Sequence, residues 1–161
     1  MTEHSLINRN INLSDIIDSR FITVLNDFEY ADISGSAETI GYKIVFFKAK
    51  KNSIVDAISL FDIRDKNEIT LCNYILHKIG FPLDFDSDFN EISKLFGTEY
   101  SESDILEDCI SYGFLYNQNN YVSFDISNET IVGIEILCNH YQQLKNLKKV
   151  PKIKHKIYVT S

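Results

Sequence analysis

Ser53-Ile54-Val55-Asp56-Ala57-Ile58-Ser59-Leu60 has the β-branched, apolar composition of a strand, and Tyr42 to Ala49 just before it reads the same way. The polar turn Lys50-Lys51-Asn52-Ser53 between them predicts a β-hairpin. Thr130-Ile131-Val132-Gly133-Ile134-Glu135-Ile136-Leu137 resembles the first stretch, and each follows a Tyr/Phe-rich strand. Two explanations stand side by side. One is a duplicated helix-plus-hairpin unit; the other is the general likeness of any two hydrophobic hairpin strands.

Between these strands, Asp65 and Glu68 can cap a helix whose apolar stripe is Leu71, Cys72, Ile75, Leu76 and Ile79, ended by Gly80 and Pro82. Asp88 with Glu91 repeats the capping logic for a short helix that buries Phe89, Ile92, Leu95 and Phe96 and stops at Gly97. Ser101 and Asp104 are expected to start another turn or two through Ile110. Strands follow at Gly113–Tyr116, Tyr121–Ile126 and Thr130–Leu137, with turns at Asn117–Asn120 and Ser127–Glu129.

Upstream, Ser14 with Asp15 and Asp18, followed by Ile17, Phe21, Val24, Leu25 and Phe28 at helical spacing, predicts one capped first helix and then a Gly/Ser-containing loop. Downstream, His140–Lys148 reads as an amphipathic helix. The alternating Ile153, His155, Ile157 and Val159 read as a lysine-rich edge strand. The expected fold is α+β: a single domain over 1–161 in which an antiparallel sheet, made of two hairpin or meander units, packs against several short helices. Its two halves, about 14–63 and 69–137, would be related, with a basic helix and edge strand at 140–160.

A chain of 161 residues can bury roughly two thirds of its unfolded surface, and 44% hydrophobic residues with only two prolines exclude a disordered chain. No apolar run approaches the length of a bilayer span, and the first residues lack a secretory pattern, so a cytoplasmic protein without a membrane is expected. Cys72, Cys109 and Cys138 sit singly in apolar runs, as small hydrophobes do. The net charge of −7 is uneven: setting aside the six lysines of Lys145–Lys156 leaves −13 on the rest. An acidic body argues against nucleic acid and for a basic protein as partner.

The six glycines are scattered singly, which excludes a nucleophile elbow, a phosphate loop and a dinucleotide fingerprint. His4, His77, His140 and His155 show no metal-ligand pairing. Asp84-Phe85-Asp86-Ser87-Asp88 begins like a calcium loop, but Phe89 stands where glycine is needed and Leu95 where a bidentate glutamate is needed. No metal and no cofactor are expected.

The segment richest in candidate contacts is Phe81–Asp108, nine acids against the single cation Lys94. Within it Asp84, Phe85, Asp86, Asp88, Glu91, Glu99, Tyr100, Glu102 and Asp104 are the expected partner-binding residues. Carboxylates attract a basic surface, and an aromatic among them supplies the desolvated anchor.

The run Ile69–Leu137, with its helix, the short helix closed by Leu95-Phe96-Gly97, and the meander through Tyr116, Tyr121, Phe124 and Ile136, resembles small bacterial immunity proteins of polymorphic toxin and contact-dependent inhibition systems. The two-part pattern is also similar to the tandem α/β units of the β-lactamase inhibitory protein family. These resemblances imply a non-enzymatic protein that binds and neutralises a cognate, basic, nuclease-like toxin domain. The alternatives are a small hydrolase or nuclease using carboxylates such as Asp84, Asp86 and Glu91, and an adaptor that binds a host protein through the same face.

Overall fold

Local capping chemistry starts the helices. In the computed structural model, which describes residues 11–33, 37–48, 55–116 and 120–138, Asn12 and Asp15 form a capping box at α1 (Leu13–Ile16), and the Asp18 carboxylate accepts from Arg20 N–H to start α2 (Ser19–Leu25). The single helix expected here is therefore two. Asp18 captures a backbone donor, and both Ile17 and Asp18 turn extended, which interrupts the helical ladder. Further on, α3 (Lys66–Lys78) and α4 (Phe89–Phe96) carry the Asp65/Glu68 and Asp88/Glu91 boxes read from the sequence.

Among the described residues, eight strands follow the helices in two runs. The first is β1 (Tyr30–Ile33), β2 (Ala37–Ile40), β3 (Ile44–Lys48) and β4 (Val55–Leu60); the second is β5 (Ser101–Leu106), β6 (Cys109–Tyr116), β7 (Asn120–Ser127) and β8 (Thr130–Cys138). Within each run every strand pairs antiparallel with the next, and β4 pairs antiparallel with β8, which gives one sheet in the order β1-β2-β3-β4-β8-β7-β6-β5. The chain is thus a single α+β domain made of two four-stranded meanders joined at their last strands.

Three of these strands stand where no strand was expected. Residues 30–33 and 37–40, read as loop, form β1 and β2, which pair antiparallel; β1 is exposed along its whole length, so it carries no hydrophobic alternation and is held by backbone pairing. Ser101–Ile110, read as a helical turn, is β5 and the start of β6. The acid-rich sequence of β5 suits a sheet edge, and Ser103 lies against the sheet at 4% exposure. The helix expected at 140–148, the strand at 153–159 and the turn at 50–53 lie outside the described residues.

All four helices join one face of the sheet. Leu13, Ile16, Phe21, Leu71, Ile75, Leu76 and Ile92 share a core with Phe46, Ile58, Leu60, Phe114, Val122, Phe124, Ile134 and Ile136. Each fully buried phenylalanine there contributes about 1.5–3 kcal/mol by transfer from water. On this face the buried Glu38 carboxylate accepts from Leu13 N–H at 2.9 Å and pairs with Lys48 at 3.1 Å, which ties α1 to the sheet.

The opposite face has its own small cluster, Ala57, Tyr121 and Leu137. Its rows can be followed across the ladders: Phe47, Ala57, Leu137 and Tyr121 in one, then Ser59, Glu135, Ser123 and Gly113 in the next. The same alternation bears on the echo between the two halves. Aligned as read, Ile58 matches Glu135, yet Ile58 faces the helices and Glu135 faces away; the equivalent strands agree in facing only when shifted by one residue, Ser59 onto Glu135.

On β6, Gly113 makes room for a neighbour. A Cβ there would collide with the Tyr121 hydroxyl and lie 2.6 Å from Tyr121 Cζ and 2.8 Å from Ser101 Oγ, because the tyrosine ring lies across the glycine. Gly113→Ala should therefore destabilise the protein by about 1–3 kcal/mol in urea unfolding, and Gly113→Ala combined with Tyr121→Ser should recover part of that loss.

Candidate functional site

The capping box that starts α4 also sets a surface. Asp88 N–H donates to Glu91 Oε1 at 2.9 Å and Glu91 N–H to Asp88 Oδ1 at 2.9 Å, fixing the first turn of α4 over the β5–β7 end of the sheet. There Phe89 meets Tyr112 with ring centroids 5.0 Å apart and Tyr100 at 5.9 Å, while Tyr100 and Tyr112 stand edge to face at 5.3 Å. These rings, with Ile110 and Ile126, floor an open groove of about 870 Å³.

Its rim is acidic. Asp88 comes from the helix cap, Asp104 from β5, Glu107 and Asp108 from the β5–β6 turn, and Glu129 from the β7–β8 turn, where Asn128 and Glu129 adopt positive φ as a two-residue hairpin turn requires. Among the described residues, no lysine or arginine lines the groove. Arg64, beside the rim, is engaged by Asp62 at 2.6 Å and reaches Asp108 at 3.7 Å. Burial, followed by the Glu102 and Tyr100 charges, pushes the Tyr112 hydroxyl above its ordinary pKa, so it stays a neutral donor.

Of the residues expected to bind a partner, the groove gathers Asp88, Tyr100 and Asp104. Glu91 is committed to the cap, Glu102 pairs across the ladder with Tyr112, and Glu99 is exposed ahead of β5. Asp84, Phe85 and Asp86 are elsewhere, in the loop that ties α3 to α4. Asp84 contacts His77 Nε2 at 3.0 Å and accepts from Asp86 N–H at 2.9 Å; Asp86 accepts from Asn73 Nδ2 at 3.2 Å. Phe85 is 4% exposed and belongs to the core, so it offers a partner no anchor. Asp84, Asp86 and Glu91 do not converge, and among the described residues no group of three or more His, Cys, Asp or Glu is placed to hold a metal. Neither Cys72 nor Cys109 carries a ready nucleophile: burial pushes the Cys109 thiol up to about 11 and the Cys72 thiol further still.

A second constellation escaped the sequence reading. Asp125 on β7 and Glu135 on β8 share the face that the helices leave. Burial, and then the Asp125 charge, pushes Glu135 up to about 7; burial also raises Asp125, against a hydrogen bond with Ser111 that lowers it. Tyr121 is pushed to about 12 by burial, partly offset by its bond with Ser101. The signal was the strict alternation of Tyr121, Ser123 and Asp125 with Val122, Phe124 and Ile126, which reads as a solvent face until Gly113 and Gly133 are seen to receive Tyr121 and Asp125.

No family model matches the chain, and no curated protein matches it. Among solved structures it is similar to a DUF4309 family protein (YjgB) from Bacillus subtilis, with 13% identity, a TM-score of 0.38, and coverage of 69% of this chain and 64% of that one. An extracellular protein containing an SCP domain from Bacillus anthracis is similar at 7% identity and a TM-score of 0.35, over 86% of this chain and 49% of that one. The chain thus spans less than two thirds of either neighbour's length. No helix among the described residues is long and apolar enough to cross a membrane.

Glu135 predicts a pH dependence. Its carboxyl has an ordinary value of 4.5 and rises to about 7 on folding, so the folded state holds the proton more tightly. The stability this contributes is complete below the unfolded value and is lost as pH rises through the folded one. In EDTA-containing buffer, Glu135→Gln should match the wild type near the unfolded value and exceed it by up to ~3 kcal/mol above the folded one; urea unfolding that gives the same difference at both ends would refute the assignment.

Proposed function

We propose that this chain works by binding another protein, and that the partner is a basic, nuclease-like toxin domain which it neutralises in the cytoplasm as an immunity protein. One observation carries the reading: the groove beside α4 places an aromatic floor inside a rim of five carboxylates, with no lining cation among the described residues. The rings supply a desolvated anchor, and the rim supplies attraction at a distance and selects against acidic partners. Lysine or arginine side chains fit such a floor, since their stems lie on apolar surface and their heads meet both ring faces and carboxylates.

Apart from Asp88, which caps α4, the rim charges stand on an edge strand and two turns, so they can be reversed without entering the core. Asp104→Lys with Glu107→Lys should weaken partner capture at least tenfold, most at low salt, whereas Asp27→Lys, on the exposed loop after α2, should leave it unchanged. The measurement is co-purification from native cells with mass-spectrometric identification, followed by co-expression with the recovered protein. A basic toxic domain, neutralised by the wild type and not by the reversed variant, is the expected result. A partner without toxicity, or capture indifferent to the reversal, would reject the reading.

A further inference from the structure

The rim carboxylates of the groove beside α4 stand around its floor and do not converge on a point. Asp104, Ile110 and Ile126 lie side by side in one cross-strand row over β5, β6 and β7, and Glu129 stands in the turn just past Ile126. Two strand spacings, roughly 10 Å, therefore separate Asp104 from the β7 side of the groove. Charge spread in this way is not arranged around a metal ion: among the described residues no group of three or more His, Cys, Asp or Glu is placed to hold one.

Two rim carboxylates already have partners. Asp88 Oδ1 accepts from Glu91 N–H, and Asp108 accepts from the Ser127 hydroxyl and lies 3.7 Å from Arg64. The carboxylates of Asp104, Glu107 and Glu129 have no hydrogen-bond or ion-pair partner among the described residues. Between them, Tyr112 packs against Phe89 at 5.0 Å and Tyr100 at 5.3 Å, so the rings touch one another and a ligand lies on them rather than among them. Such a floor takes methylene groups by apolar contact and alkylammonium groups by cation–π attraction.

We propose that this groove, with its cavity of about 870 Å³, binds a linear aliphatic polyamine of the spermidine class. Its methylene chain lies over Ile110, Ile126 and the rings, and its ammonium groups meet Asp104 and Glu107 on one side and Glu129 on the other. Separated point charges on an apolar stem are the complement of separated carboxylates around an apolar floor. A quaternary ammonium ion carries a single charge and would leave one side of the rim unanswered, while a divalent metal needs its carboxylates gathered on it. One consequence rests on the basic-partner reading: polyamine and partner would compete for the same carboxylates.

The test is isothermal titration calorimetry of the full chain alone with spermidine at about 0.15 M salt, with magnesium chloride and tetramethylammonium chloride as comparison cations. Spermidine should bind saturably, at least tenfold more tightly than either comparison cation. Asp104→Asn with Glu129→Gln removes a charge from each side of the groove at exposed positions and should weaken spermidine at least tenfold. Asp27→Asn with Glu29→Gln, which removes as much charge from the exposed segment after α2, should leave it unchanged. Magnesium binding as tightly as spermidine, equal losses in the two double variants, or no saturable binding by heat or by thermal shift overturns the proposal. The titration uses no partner protein, so its failure would leave the toxin reading intact, and a failed co-purification would leave this site intact.

Discussion

The pairing of β4 with β8 makes one molecule out of two meanders. Every other ladder joins strands that follow one another in the chain, so each meander closes through short connections, while Ala57–Leu137, Ile58–Ile136, Ser59–Glu135 and Leu60–Ile134 bring together residues from opposite halves. Such a contact carries the largest loop-closure entropy in the fold. It is offset by Ile58, Leu60, Ile134 and Ile136, all fully buried under the helices, and the link runs on past the ladder through Ile63 N–H to Val132 O at 2.7 Å.

Once that ladder is in register, the two faces of the sheet are fixed for both halves together, since a slip of one residue would exchange them. The helices follow. α3 lays Leu71, Cys72, Ile75 and Leu76 on the shared apolar face, and α4 adds Ile92 and Phe96 against Phe114 and Phe124. Because α4 ends up over the β5–β7 side, its capping carboxylate reaches the same corner as the β5–β6 and β7–β8 turns. The groove is a consequence of where the sheet puts those three pieces, and its acidity is a consequence of which residues cap and turn there.

This order of causes explains what the sequence disclosed. α3, α4 and their caps were legible because capping boxes and helical stripes are local, and β3, β4, β7 and β8 because their hydrophobic runs are dense. β1 and β5 were not, since an exposed or acidic edge strand owes its conformation to a neighbour's backbone rather than to its own pattern. The split of the first helix turned on a single carboxylate choosing Arg20 N–H. For the site, the acidic segment pointed to Asp88, Tyr100 and Asp104 but ran too far: Asp84 and Asp86 have local partners, and the groove also takes Glu107, Asp108 and Glu129 from turns whose meeting depends on strand order.

Asp125 and Glu135 follow a different logic. Tyr121 over Gly113 shows how this face solves a packing problem, a large side chain received by the absence of one on the next strand, and Asp125 over Gly133 repeats the arrangement with a carboxylate in place of a ring. Packing alone accounts for the first, since a ring buries apolar area. It does not account for the second, because burial costs both carboxylates solvation, and at Glu135 the Asp125 charge adds repulsion, which lifts both groups above their ordinary range. A neutral side chain of the same shape would avoid that loss of solvation, so these two positions hold their charge at a cost to the sheet.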